Sequence, residues 1–117
     1  MAKLGFLLKS GPYSSSRGED LYLMASAALD KEHHVSIFLD LDGVYHVNDY
    51  QKSLEVLELP KDWFTELMQR GATIYACTTC MNARGLHEPG TLVEGVKIGS
   101  MENLASMLGD VERMVAL

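Results

Sequence analysis

Basic clusters are missing from this 117-residue chain, and so are long hydrophobic runs, internal repeats and low-complexity segments. Lys and Arg number 10 against 16 Asp and Glu, and the resulting net charge of −6 argues against nucleic acid or an anionic membrane surface as the main partner. A small basic protein partner stays open. The first apolar run, Leu4 to Leu8, is far too short for a signal peptide or a membrane span, so a cytoplasmic protein with no membrane partner is expected. There are only two cysteines, Cys77 and Cys80, and in a reducing compartment they are expected as free thiols rather than as a structural disulfide. No linker interrupts the chain, and residues 1–117 are enough for a single domain with a core of its own. Apolar residues make up 47% and charged residues 22%, a balance that calls for globular packing. The seven methionines are expected mostly as core filler.

The patterning alternates between strand and helix. Apolar runs at Lys3 to Lys9, Val35 to Leu39, Ala72 to Cys77 and Val111 to Ala116 carry strand character, and Val96 to Ile98 is a shorter extended piece. Between the first two, Ser16 and Glu19 have the spacing of a capping box, and Leu21, Met24, Ala25, Ala28 and Leu29 fall on one face of a helix ending near Lys31. Pro60 opens and Gly71 closes a second helix whose stripe is Trp63, Phe64, Leu67 and Met68. A third runs from Met101 to Leu108 and is expected to stop at Gly109. Leu54, Val56, Leu57 and Leu59 fit neither period, so Val44 to Leu59 reads mostly as loop. Strands joined through helices imply an α/β fold with a parallel sheet of four to five strands flanked by helices. In such sheets, sites gather beyond the carboxyl ends of the strands. Three polar loops are expected there: Ser10 to Ser16, Asp40 to Tyr45 and Cys77 to Gly85.

Three chemistries compete for those loops. Cys77-Thr-Thr-Cys80 has the spacing of a dithiol redox motif, though without the preceding aromatic residue or the room for a long helix before Gly85. Zinc would need two further ligands. His33 and His34 precede a strand at its amino end, so only His46 and His87 are in reach, and all four histidines are expected on the surface. Asp40-Leu-Asp42-Gly43 after a strand resembles the nucleophile motif of haloacid-dehalogenase-type phosphatases, but Lys97 and Asp110 do not stand in matching downstream motifs. The plainer expectation there is a polar turn with Gly43 at positive φ.

A wider likeness rests on an ordered set of segments. Leu4-Gly-Phe-Leu-Leu8 stands with Ser10-Gly-Pro-Tyr13, Phe38-Leu39 with Asp42-Gly-Val-Tyr45, and Tyr75-Ala-Cys77 with Ala83-Arg84-Gly85, before Gly95-Val-Lys-Ile-Gly99 and a last helix and strand. Together they resemble the DsrE/TusD-like (DsrE/F-like) family of small sulfur-relay proteins along nearly the whole chain. The resemblance implies a DsrEFH-like domain in which a cysteine after the third strand accepts sulfane sulfur as a persulfide and passes it to a partner protein. That position lies seven residues before the arginine of the Arg-Gly pair and is Cys77 here, counted back from Arg84. It further implies sulfurtransferase-like activity with no cofactor and no metal. A homo-oligomer (trimer or hexamer) and a small sulfur-carrier or rhodanese-like partner also follow from it. Arg84 is then a possible anion stabiliser, Tyr13, Tyr45 and Asp42 possible pocket walls, and Cys80 an auxiliary thiol that either attacks the persulfide or stands by. Two positions depart from the family pattern: Cys80, where cysteine is uncommon, and Asp40, where an aromatic residue is expected. Two alternatives stand beside this reading, an oligomeric binding or regulatory subunit without thiol chemistry and a Cys-x-x-Cys dithiol redox protein.

Overall fold

The apolar runs that lack helical period become the five strands of one sheet, all parallel: β1 (Lys3–Leu8), β2 (His34–Leu39), β3 (Thr73–Cys77), β4 (Lys97–Gly99) and β5 (Arg113–Ala116). They lie in the order β4-β3-β2-β1-β5. The computed structural model describes residues 1–52 and 58–117, so Leu54, Val56 and Leu57 lie outside the described residues. Helices α1 (Arg17–Asp30) and α2 (Pro60–Gln69) carry the chain from β1 to β2 and from β2 to β3. A six-residue helix, α3 (Thr78–Ala83), follows β3, and α4 (Met101–Asp110) returns the chain from β4 at one edge to β5 at the other, beside β1.

Strand alternation divides the sheet into two unlike faces. Val35, Ile37 and Leu39 of β2 and Ile74 and Ala76 of β3 are all buried, and so are Leu21, Ala25 and Ala28 of α1 and Phe64 and Leu67 of α2. Burial of each large member of this set stabilises the fold by about 1.5–3 kcal/mol. The opposite face, under α4, holds Ser36, Thr73, Tyr75 and Lys97 around a polar cavity that Asn103, Ser106 and Asp110 also line. The two crossover helices are tied to each other as well. Tyr22 stacks on Trp63 with centroids 5.9 Å apart, the Tyr22 hydroxyl donates to Glu66 at 2.6 Å, and Arg70 reaches Ser26 and Asp30.

Local signals placed the five strands and α1, α2 and α4, whereas α3 and the helical turn Leu41–Val47 after β2 fall where polar loops were expected, and several details were misjudged. Ser16 precedes α1, yet its φ of −87° and ψ of 4° are not the extended cap conformation, and no side-chain cap bond forms. The Ser15 hydroxyl instead accepts the Arg17 N–H at 3.2 Å. Met24, counted on the apolar face, is 39% exposed. Four of the seven methionines do serve the core: Met81 and Met107 are buried, and Met68 and Met114 pack against it. Gly109 does not end its helix, which continues to Asp110. That helix has an unforeseen cap at its start, where Asn103 Oδ1 accepts the Ser100 N–H at 2.8 Å. Asn103→Ala is expected to cost about 0.5–1 kcal/mol, seen as a fall of about 2–5 °C in Tm by circular dichroism.

Candidate functional site

Parallel register decides what meets at the carboxyl edge. Leu39 of β2 pairs with Ala76 of β3, so the next residues, Asp40 and Cys77, leave the sheet side by side. Cys77 ends β3 and serves as the N-cap position of α3, and Cys80 lies one helical turn further on. Thr78 fastens this helix to the neighbouring strand by donating its hydroxyl to the Gly99 carbonyl at 2.9 Å. On the other side, the segment after β2 forms a 3-10 helix, Leu41–Val47, against α2 and α3. Leu41, not Gly43, adopts the positive φ there, at 47°.

Three side chains converge as a result. The ligand-forming atoms of Asp40, Cys77 and Cys80 all lie within 4.8 Å of one another. The Cys80 thiol donates to Asp40 Oδ1 at 3.0 Å and accepts the Leu41 N–H at 3.1 Å. Burial pushes the Cys80 pKa up to about 12, helped by the hydrogen bonds to Asp40 and to Cys77 and opposed by the Leu41 N–H. Cys80 is therefore a held, protonated thiol at neutral pH. Both thiols are free and buried, Cys77 with 5% of its surface exposed and Cys80 with 8%.

Arg84 stands behind this cluster. Its Nε donates to Asp42 Oδ1 at 2.8 Å and its NH1 nitrogen to the Cys80 carbonyl at 3.1 Å. The Asp42 carboxylate raises the Arg84 pKa still further, so the guanidinium stays charged. Asp42 also faces an open cavity of 450 Å³ lined by Tyr13, Ser14, Tyr45, Asn48 and Gln51. The three loops expected at one edge thus meet. Asp42 and Arg84 join the second loop to the third, and Asp42 and Tyr45 share the cavity with Tyr13 of the first.

The histidines behave differently from expectation. His46 is fully buried rather than on the surface. Its Nδ1 lies 3.0 Å from the Gly43 carbonyl, its ring meets Phe64 edge-on, and its Nε2 has no hydrogen-bond partner among the described residues. A side chain facing a carbonyl must present N–H, so the neutral ring carries its proton on Nδ1. His87 pairs with Glu88. Neither ring joins the two thiols, and Asp40, Cys77 and Cys80 supply three donors where a closed structural zinc site uses four. Sequence reasoning read Asp40 as part of a polar turn or phosphatase-like motif and as a departure from the family pattern, but not as a partner of the thiols. Its charge at a strand end next to the thiol-bearing strand was the available signal.

No helix among the described residues is long and apolar enough to cross a membrane. In comparisons with known proteins, the chain is 32% identical over 116 residues to an uncharacterised protein of Methanocaldococcus jannaschii, covering 97% of each. It is 29% identical over 83 residues to the sulfurtransferase TusD of Proteus mirabilis, covering 68% of this chain and 64% of that one. Among solved structures, the ychN protein from E. coli superimposes with a TM-score of 0.90 at 24% identity over the whole of both chains. A protein of unknown function from Methanobacterium thermoautotrophicum does so with a TM-score of 0.75 at 14% identity, again over both whole chains. The DsrE/DsrF-like family model matches residues 2–117, and the chain belongs to that family.

Proposed function

We propose that this chain is a sulfur carrier in which Cys77 takes up sulfane sulfur as a persulfide and passes it to a partner protein. The observation that carries the reading is the inequality of the two thiols. The Cys80 thiol is engaged as a hydrogen-bond donor to Asp40, which leaves Cys77, at the strand end, as the nucleophile of the pair. In the transfer, the Cys77 thiolate attacks the terminal sulfur of a donor persulfide. A new S–S bond forms on Cys77, the donor's S–S bond breaks, and the donor leaves as a thiolate. The same exchange in reverse delivers the sulfur to an acceptor thiol, so no cofactor and no net oxidation are involved. The family match and the TusD relative support this chemistry.

The supporting residues have separate tasks. Arg84 steadies the helix that carries the thiols through the Cys80 carbonyl, and its charge, shared with Asp42, favours an anion nearby. Tyr13, Tyr45 and Asp42 wall the cavity that admits the chain of a donor or acceptor. That partner is a small sulfur-carrier or rhodanese-like protein in the cytoplasm. The chain works as a homo-oligomer, a trimer or hexamer, for which exposed Ile98, Met101 and Leu108 around β4 and α4 offer apolar contact surface. A dithiol redox reading has one observation in its favour, the closeness of the two sulfurs.

Intact-mass measurement after exposure of the reduced protein to polysulfide tests the proposal. Wild type and Cys80→Ser are expected to gain one sulfur atom, and Cys77→Ser none. Equal gain by Cys77→Ser would sink the assignment of Cys77. A protein that takes up no sulfur and transfers none would be a binding subunit, and ready formation of a Cys77–Cys80 disulfide in place of an adduct would establish the redox reading.

A further inference from the structure

Two neighbouring thiols create a difficulty for a sulfur carrier. A persulfide on Cys77 can be attacked at its inner sulfur by Cys80: the Cys77–Cys80 disulfide forms, the persulfide S–S bond breaks, and the outer sulfur leaves as hydrosulfide. The Cys80 proton goes to solvent, the Cys80 sulfur is oxidised from the thiol to the disulfide level, the Cys77 sulfur stays at that level, and the outer sulfur is reduced to hydrosulfide, so the step needs no external oxidant. It would destroy the cargo. The attacking sulfur is close, within 4.8 Å. What such an attack requires is a free Cys80 thiolate.

We infer that Asp40 is a positioning residue that anchors the hydrogen of the Cys80 thiol and so keeps Cys80 from discharging a persulfide on Cys77. The inference rests on the sulfur-carrier reading and concerns how its cargo is kept. Its basis is geometric. Asp40 and Cys77 leave adjacent strands at the same level, and Cys80 turns back between them. The thiol hydrogen points at Asp40 Oδ1, and the sulfur is also in contact with the Leu41 N–H and with Cys77. The negative charge of the carboxylate opposes formation of a second negative charge on the sulfur beside it, in a site with little solvent. The raised pKa of Cys80 agrees with this. The Leu41 N–H pulls the other way; burial, the largest contribution, is common to wild type and the Asp40 variants, so the variants isolate what Asp40 adds.

The experiment uses Asp40→Asn, which keeps the shape and removes the charge, with Asp40→Ala as a second variant. Polysulfide-loaded proteins are freed of donor, and hydrosulfide release is followed without any acceptor. Release from the Asp40 variants is expected to be about tenfold faster than from wild type or more, as thiolate fraction rises tenfold for each unit of lowered thiol pKa. The product should be the Cys77–Cys80 disulfide, and adding Cys80→Ser should restore the slow rate. In a Cys77→Ser background, where no cargo is carried, the pH profile of Cys80 alkylation should move to lower pH when Asp40 is replaced. A purely structural role for Asp40 would not move that profile.

Loading with unchanged release in both Asp40 variants, or faster release that survives Cys80→Ser, overturns the inference and leaves the carrier reading intact. An unmoved alkylation profile overturns it too. If wild-type Cys77 takes up no sulfur, the carrier reading itself falls and takes this inference with it.

Discussion

Gly43→Ala is expected to destabilise the fold by about 3 kcal/mol or more, since forcing extra volume into a packed site typically costs 1–3 kcal/mol and here the obstacle is backbone. A β-carbon at Gly43 would lie 2.2 Å from the Leu8 carbonyl oxygen and 3.0 Å from its carbon. That carbonyl ends β1 and already accepts the Asp40 N–H at 2.9 Å. Neither partner can step aside alone. Moving Leu8 breaks the link between β1 and the segment after β2, and moving Gly43 shifts the 3-10 helix that presents Asp40 and Leu41 to Cys80. Glycine is needed here for close approach, not for positive φ. For a domain of this size the loss corresponds to a fall of about 10 °C or more in Tm, measurable by calorimetry. A melting temperature unchanged from wild type would show that the segment relaxes freely. In a variant that still folds, the alkylation profile of Cys80 should change too, because its two hydrogen-bond partners ride on the displaced segment.

Acid should weaken the protein through His46. Burial lowers the pKa of this ring from 6.5 to about 4, and the hydrogen bond to Gly43 opposes the shift only in part. In the unfolded chain the ring takes up a proton near pH 6.5, and in the folded protein only near pH 4. Between those values the unfolded state binds more protons, so stability rises with pH. The full contribution is present above pH 6.5 and is lost as the pH falls through the window down to about 4. The loss amounts to about 3 kcal/mol at the lower end, at 1.36 kcal/mol per pKa unit.

The cause is visible in the packing. Nδ1 faces a carbonyl, the ring abuts Phe64, and a β-carbon on Gly18 would stand 2.1 Å from Nε2. Among the described residues no acceptor waits for a second N–H. Urea unfolding at several pH values, compared between wild type and His46→Phe or His46→Leu, isolates this ring from the carboxylates that titrate in both. The stability difference between the proteins should fall with pH across the window. A difference that stays flat, or a His46 resonance titrating near pH 6.5 by NMR, would refute the assignment.

How much of this was legible beforehand varies by element. The stripe of α2 and the apolar runs of β1, β2 and β3 were plain, because burial on one face leaves a period in the residues themselves. Leu59 was left in an irregular stretch, yet it is buried just before Pro60. Its burial follows from its place in the folded chain and not from any local period. His46 misled for a related reason. It sits in a polar stretch after a strand, but the start of α1 comes down on it, and Gly18 lies far from it in the chain. Likewise, Ser16 and Glu19 had the right spacing for a cap and lacked the backbone conformation that makes the cap form.

The sequence by itself determined the alternation of strand and helix, the parallel sheet, the edge at which the polar loops gather, and Cys77 as the thiol at the end of a strand. All of these follow from short-range periodicity and from the connection rules of parallel sheets, which read out along the chain. Only the tertiary structure supplied the contacts that make the two thiols physically unequal. The Cys80–Asp40 bond spans 40 residues and the Arg84–Asp42 pair spans 42. Both depend on the register of β2 against β3, which places Asp40 beside Cys77 and not a residue away. A shift of one position would turn the aspartate to the other face of the sheet. Register is set by the summed packing of the whole core, and no local stretch of residues carries that sum.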